Sequence, residues 1–135
     1  MAYRIEEIEG IGAHYAERLN AVGIRTTEEL LARCATPRGR QSLSQDSGIS
    51  EALLLKWANH ADLFRIKGVA GQFAELLEAS GVDTVKELRH RVAANLHASL
   101  EKVNEQKHLC GRVPSEKEIS AMIEQAKTLE PAITY

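Results

Sequence analysis

Aromatic residues are scarce. The 135 residues hold one Trp, two Phe and three Tyr. A core cannot be built around stacked rings and must be filled by Leu, Ile, Val and Ala, the filling of packed helices. Cysteine is scarcer still. Cys34 and Cys110 lie far apart in sequence, which excludes a disulfide framework and reads as two reduced, packed thiols. Neither sign of charge dominates: the formal net charge is -2 and the pI about 6.2. Residues 1–65 carry eight Lys/Arg against nine Asp/Glu, and residues 66–135 carry nine against ten. That balance excludes a protein that coats DNA by its global field. No apolar run approaches the length of a membrane span, so no membrane partner is expected. The start, "MAYRIEEIEG", has no apolar h-region, so a cytoplasmic protein is expected. Gly-x-Ser-x-Gly, Walker and His-Glu-x-x-His patterns are all missing, so a non-enzymatic protein without cofactor is expected. No segment alternates with a period of two, so no strand is expected either.

What is present is a repeat. "IEGIGAHYAERLNAVGIRTTEEL" (8–30) returns as "IKGVAGQFAELLEASGVDTVKEL" (66–88) at a constant offset of 58, with ten of 23 positions identical. A match of that length argues for internal duplication and for two copies folding alike. Tyr15, Ala16 and Leu19 share a face at helical spacing, Gly23 provides a stop, and Thr26 with Glu29 forms a capping box that predicts a helix from Thr27. Phe73, Leu77, Gly81, Thr84 and Glu87 repeat that logic. Between the copies, Thr36-Pro37 starts a helix running to about Asp46 with Gly48 after it. Ser50 caps the next helix, whose face is Leu54, Trp57, Ala58, Ala61 and Phe64. Later, Leu96, Leu100, Val103 and Cys110 mark an amphipathic helix broken by "CGRVP". Ser115 with Glu118 forms a third capping box ahead of Ile119, Met122, Ile123, Ala126 and Leu129, and Pro131 ends that helix. The expectation is an all-α chain of eight to ten short helices. It forms one domain over 1–135: repeat one 1–48, a joining helix 50–65, and repeat two 66–130.

Ile8, Gly10, Ile11, Gly12, Ala16 and Leu19 give the order apolar-Gly-apolar-Gly, Ala four on, Leu three further. This resembles the helix-hairpin-helix motif. The wider chain, through "IEGIGAHYAERL", "GIRTTEELL", "TPRGRQSL", "KWANHADLFRIKGV", "LLEASGVDTVKEL" and "MIEQAKTLEPAITY", resembles a bacterial domain-of-unknown-function family (four-three-three-two) built on tandem units of that motif. The resemblance implies two pseudo-repeated helix-hairpin-helix units with connecting helices, and a family whose function is not established. In such hairpins the glycines bring the backbone close to a phosphate, and the next helix aims free N–H groups at it. The contact positions a DNA or RNA backbone without reading bases.

On that basis Gly10, Ile11, Gly12 and Ala13 are the candidate phosphate-binding residues, with Arg18 supplying charge one turn beyond His14. Arg38 and Arg40 would help if the fold brings them close. His14 stands where DNA-binding hairpins usually carry Lys or Arg. The second copy has Ala70 for Gly12 and Gln72 for the cation, so it is expected to bind less well. The same glycines could equally serve only to let helices pack closely. A protein-interaction or scaffold module without nucleic-acid binding is the alternative function. His90, His97, His108 and Cys110 lack the spacing of metal ligands, so no metal site is expected. Trp57 reads as a core anchor rather than a stacking platform. The closing "PAITY" either docks on the body or on a partner, or frays.

Overall fold

The computed structural model describes residues 3–135, and among them every regular element is helical. A 3-10 turn at Ile5–Glu7 precedes α1 (Ala13–Ala21), α2 (Thr27–Cys34), α3 (Pro37–Ser47), α4 (Glu51–Leu63), α5 (Gly71–Ala79), α6 (Val85–Leu88), α7 (Ala93–Lys107) and α8 (Glu116–Lys127). Among the described residues, the only extended pairing is an isolated antiparallel bridge between Arg4 and Thr26. None of these helices is long and apolar enough to cross a membrane.

Local chemistry sets most of the boundaries. Thr26 and Ser115 each form a full capping box, with Glu29 and Glu118 respectively. Thr36, Ser50 and Thr84 cap α3, α4 and α6 through their side chains. Each such cap stabilises its helix by about 1 kcal/mol, because it satisfies an N–H that has no intrahelical partner. The backbone also repeats itself. α1 and α5 start and stop 58 residues apart, and so do the starts of α2 and α6. Ile11 N–H donates to Ile8 O and Val69 N–H to Ile66 O, both at 3.1 Å. Ile24 N–H donates to Leu19 O and Val82 N–H to Leu77 O.

Three expectations need correction. Cys110 lies outside α7, which stops at Lys107 where His108 takes a left-handed conformation. α8 ends at Lys127, four residues before Pro131, so the proline is not what stops it. α6 is a single turn, shorter than its counterpart α2.

α4 is the hub. It packs on α2 and α3 on one side and on α5 on the other, while α8 packs on α7 and α6. From Trp57 to Phe64 every residue of the α4 region is buried. A helix buried on nearly all sides can carry polar residues only if each finds a partner. Here they do. Asn59 accepts from the Tyr135 hydroxyl at 3.2 Å, and His60 bonds Glu78 of α5 at 3.1 Å. Asp62 accepts from Val85 N–H at 2.8 Å and from Arg65 at 2.7 Å.

The last residues dock on the body. Arg65 donates to Glu130 O at 2.8 Å and Arg89 to Leu129 O. Arg40 donates to Thr134 O, and Thr134 N–H to Ala35 O. Arg40 is buried, its other donor on Cys34 O, so it does not extend the charged surface near the first glycine turn. Both cysteines are free. Burial pushes the Cys34 thiol up to about 11, which leaves it protonated and unreactive near neutral pH.

Candidate phosphate-binding site

The first glycine turn is anchored from below and open above. Ile8 and Ile11 are buried, and between them Gly10 has φ +95°, a conformation that suits glycine. A Cβ on Gly10 would sit 3.5 Å from Trp57 Nε1, so the Trp57 ring backs the turn, with Tyr15 meeting it edge-on at 5.0 Å between centroids. Gly12 then opens α1 in an extended conformation with no side-chain cap, and the first turn of α1 holds no acidic residue. Gly10, Gly12, Ala13 and His14 are exposed. The first intrahelical bond there is Ala16 N–H to Gly12 O, so the amides of Ala13, His14 and Tyr15 precede it. These amides and the positive end of the helix point outward together.

Two of the five candidate residues already have other contacts. The Ile11 amide is spent on Ile8 O, and its side chain is core. The Arg18 guanidinium reaches the Gly48 carbonyl at 3.3 Å, tying α1 to the end of α3. That leaves Gly10, Gly12 and Ala13 at the turn, with His14 beside them. Glu6, Glu7 and Glu9 precede the turn in sequence and are exposed, and Arg4 is paired with Glu6. An anion held here would rest on backbone dipoles, with Arg18 the exposed cation of the same helix, tethered by one bond to Gly48.

The second glycine turn has the same path but a different front. Gly68 has φ +92° and Ala70 opens α5 uncapped. The Glu7 carbonyl and the Glu9 carboxylate lie in front of Gly71, the first residue of α5. A Cβ there would meet Glu7 O at 2.3 Å and Glu9 Oε1 at 3.3 Å. Lys67 N–H donates to Gln125 of α8 at 3.0 Å, which covers the turn from another side. The Ala70 methyl is exposed and does not itself close the site. A third uncapped start, that of α7, follows Val92 instead of a glycine.

Of the other basic spots, Arg38 is exposed, while those at the second copy are engaged. Arg89 caps carbonyls at the end of α8, and Arg91 binds Glu87 and Gly81 O. Trp57 is buried and serves the core.

The family model described as "Domain of unknown function (DUF4332)" matches residues 9–129. The chain belongs to this family. No curated protein and no solved structure gives a significant match. The family match runs from the approach to the first glycine turn to the end of α8, so both turns lie within it.

The chain's periodicity gave no warning that the approach to turn one would cover turn two. One signal was available. The copies read Gly12-Ala13 and Ala70-Gly71, with the glycine moved by one place. A glycine at the first helical position, where alanine is the better helix former, marks a close backbone approach.

Proposed function

We propose that the chain is a non-enzymatic binding module that holds a backbone phosphate of DNA or RNA at the first glycine turn, without base reading. The observation that carries this is the start of α1: exposed, uncapped, free of acidic residues in its first turn, and opened by a glycine with nothing within 4 Å of an added Cβ. Binding is weak, because backbone dipoles and at most one cation, Arg18, hold the phosphate. For about one phosphate neutralised, log K should fall with log salt no more steeply than about -1.

The test is a titration of labelled duplex and single strand at several salt concentrations, with wild type and Gly12→Asp. Asp is a good N-cap, so the helix keeps or gains a few tenths of a kcal/mol. Its carboxylate occupies the anion's place, and binding should fall at least about tenfold, in line with like-charge repulsion at short range. No binding by wild type at sub-millimolar protein rejects the reading. Equal binding by Gly12→Asp moves the contact elsewhere.

A second reading, a protein-interaction or scaffold module, is supported by one observation. Three exposed glutamates, Glu6, Glu7 and Glu9, precede the first turn in sequence, and Arg18 is the one Lys or Arg on α1, which is little positive charge for a polyanion.

A further inference from the structure

α4 and α5 meet through a polar cluster that the phosphate reading does not use. His60 is fully buried on α4. Its Nε2 faces Glu78 of α5 at 3.1 Å, and its Nδ1 has no partner. Glu75 lies one turn before Glu78, on the same side of α5. One ligand atom from each of His60, Glu75 and Glu78 lies within 4.8 Å of the other two. The Glu75 carboxylate has no ion-pair or hydrogen-bond partner among the described residues, while Glu78 also meets Lys56 at 3.6 Å. Glu75 and Glu78 are half-buried, which leaves a way in from solvent.

We propose that His60, Glu75 and Glu78 form a binding site for a divalent cation of the zinc class, clamping α4 to α5. One imidazole and two carboxylates are the donor set of a borderline cation, with an open position for water. A tetrahedral zinc ion needs ligand atoms about 3.4 Å apart, given bonds of about 2.0–2.1 Å. The cluster reaches this by side-chain rotation of Glu75 and Glu78, the two members with exposed surface. Two carboxylates against one lysine leave a net negative charge for the ion to offset. On binding, the single ring proton moves from Nε2 to Nδ1 by exchange with solvent, and the Nε2 lone pair turns to the metal. Nδ1–H then has no acceptor, and Lys56 must swing away. Both terms place the site at the weak end of protein zinc binding.

The experiment titrates zinc chloride into the full chain in a non-chelating buffer, followed by calorimetry and thermal melts, with magnesium in parallel. Wild type should bind one zinc saturably and melt higher with zinc present, while magnesium, which prefers six oxygens, does neither. Glu75→Gln removes a ligand that supports nothing else in the fold, and should weaken zinc binding at least about tenfold. Lys56→Met removes the competing charge and should tighten it. Absence of zinc binding by wild type at millimolar metal overturns the proposal. Unchanged affinity in Glu75→Gln also overturns it, by showing that zinc sits elsewhere, for instance near His108 and Cys110.

Discussion

The two glycine turns share a backbone and differ in what stands before them. In the first, the helix start looks into solvent. In the second, it looks at the Glu7 carbonyl and the Glu9 carboxylate, which belong to the approach of the first. The two similar stretches therefore do not present two equal helix starts. One copy supplies a segment that fills the other's helix start, and the nearest contact is made by a backbone carbonyl, with the Glu9 carboxylate beside it. The glycines moved accordingly. Gly71 is required where the backbone comes within reach, and Ala13 is allowed at the matching position where it does not. Behind the turns the difference continues: Trp57 backs Gly10, while the Met122 methyl lies 3.2 Å from where a Gly68 Cβ would be.

The largest effect should come from removing the support of the open turn. Trp57→Ala leaves a cavity under Gly10 and beside Tyr15, and should cost about 3–5 kcal/mol in denaturant melts. Met122→Ala behind the closed turn should cost less, about 2–3 kcal/mol, since it removes a smaller side chain. Equal losses would show that the two turns are supported alike.

Next in size is the front of each turn. Gly71→Ala drives a methyl into the Glu7 carbonyl and should destabilise by about 1–3 kcal/mol, the range for an overpacked contact. Gly12→Ala meets open space at an ordinary φ of -84°, and should stay within about 0.5 kcal/mol of wild type. If Gly71→Ala were as harmless as Gly12→Ala, the second turn would be as open as the first.

The smallest effect concerns how the chain enters α8, which covers the closed turn. Hydrogen bonds from Arg112, then from Ser115, hold the exposed Glu118 carboxyl down at about 2. An unfolded glutamate titrates near 4.3. The carboxyl binds protons more weakly in the folded state, so its contribution is present above about 4.3 and is lost as pH falls toward 2. Glu118→Gln should flatten the decline of stability over that window and change little at pH 7 beyond the capping loss. Melts at pH 2.5, 4 and 7 would read the difference. An unchanged slope would mean that the Arg112–Glu118 pair does not hold in solution.

Much of the fold was legible from residues alone. Thr26 with Glu29, Thr36 before Pro37, Ser50 and Ser115 with Glu118 mark helix starts, because capping acts within four residues and is written in adjacent letters. The apolar stripe of α4 was legible for the same reason: a period of 3.6 is a local property. The repeat was legible because identical stretches obey identical local rules.

What only the tertiary structure decided involves partners far away in sequence. Arg18 and Arg40 read as free cations, but each found a backbone carbonyl. Asn59, His60 and Asp62 lie among the apolar residues of α4 and are buried. Each ties α4 to a different part of the chain: the C-terminal tail, α5 and α6. The closure of the second turn depends on Glu7 and Glu9, 64 and 62 positions upstream of Gly71, which no local rule connects to it. A side chain's type fixes what it can bond. Which atom it meets, and whether water reaches the pair, is fixed only when distant elements pack, because burial raises the cost of an unpaired polar group far above its cost in solvent.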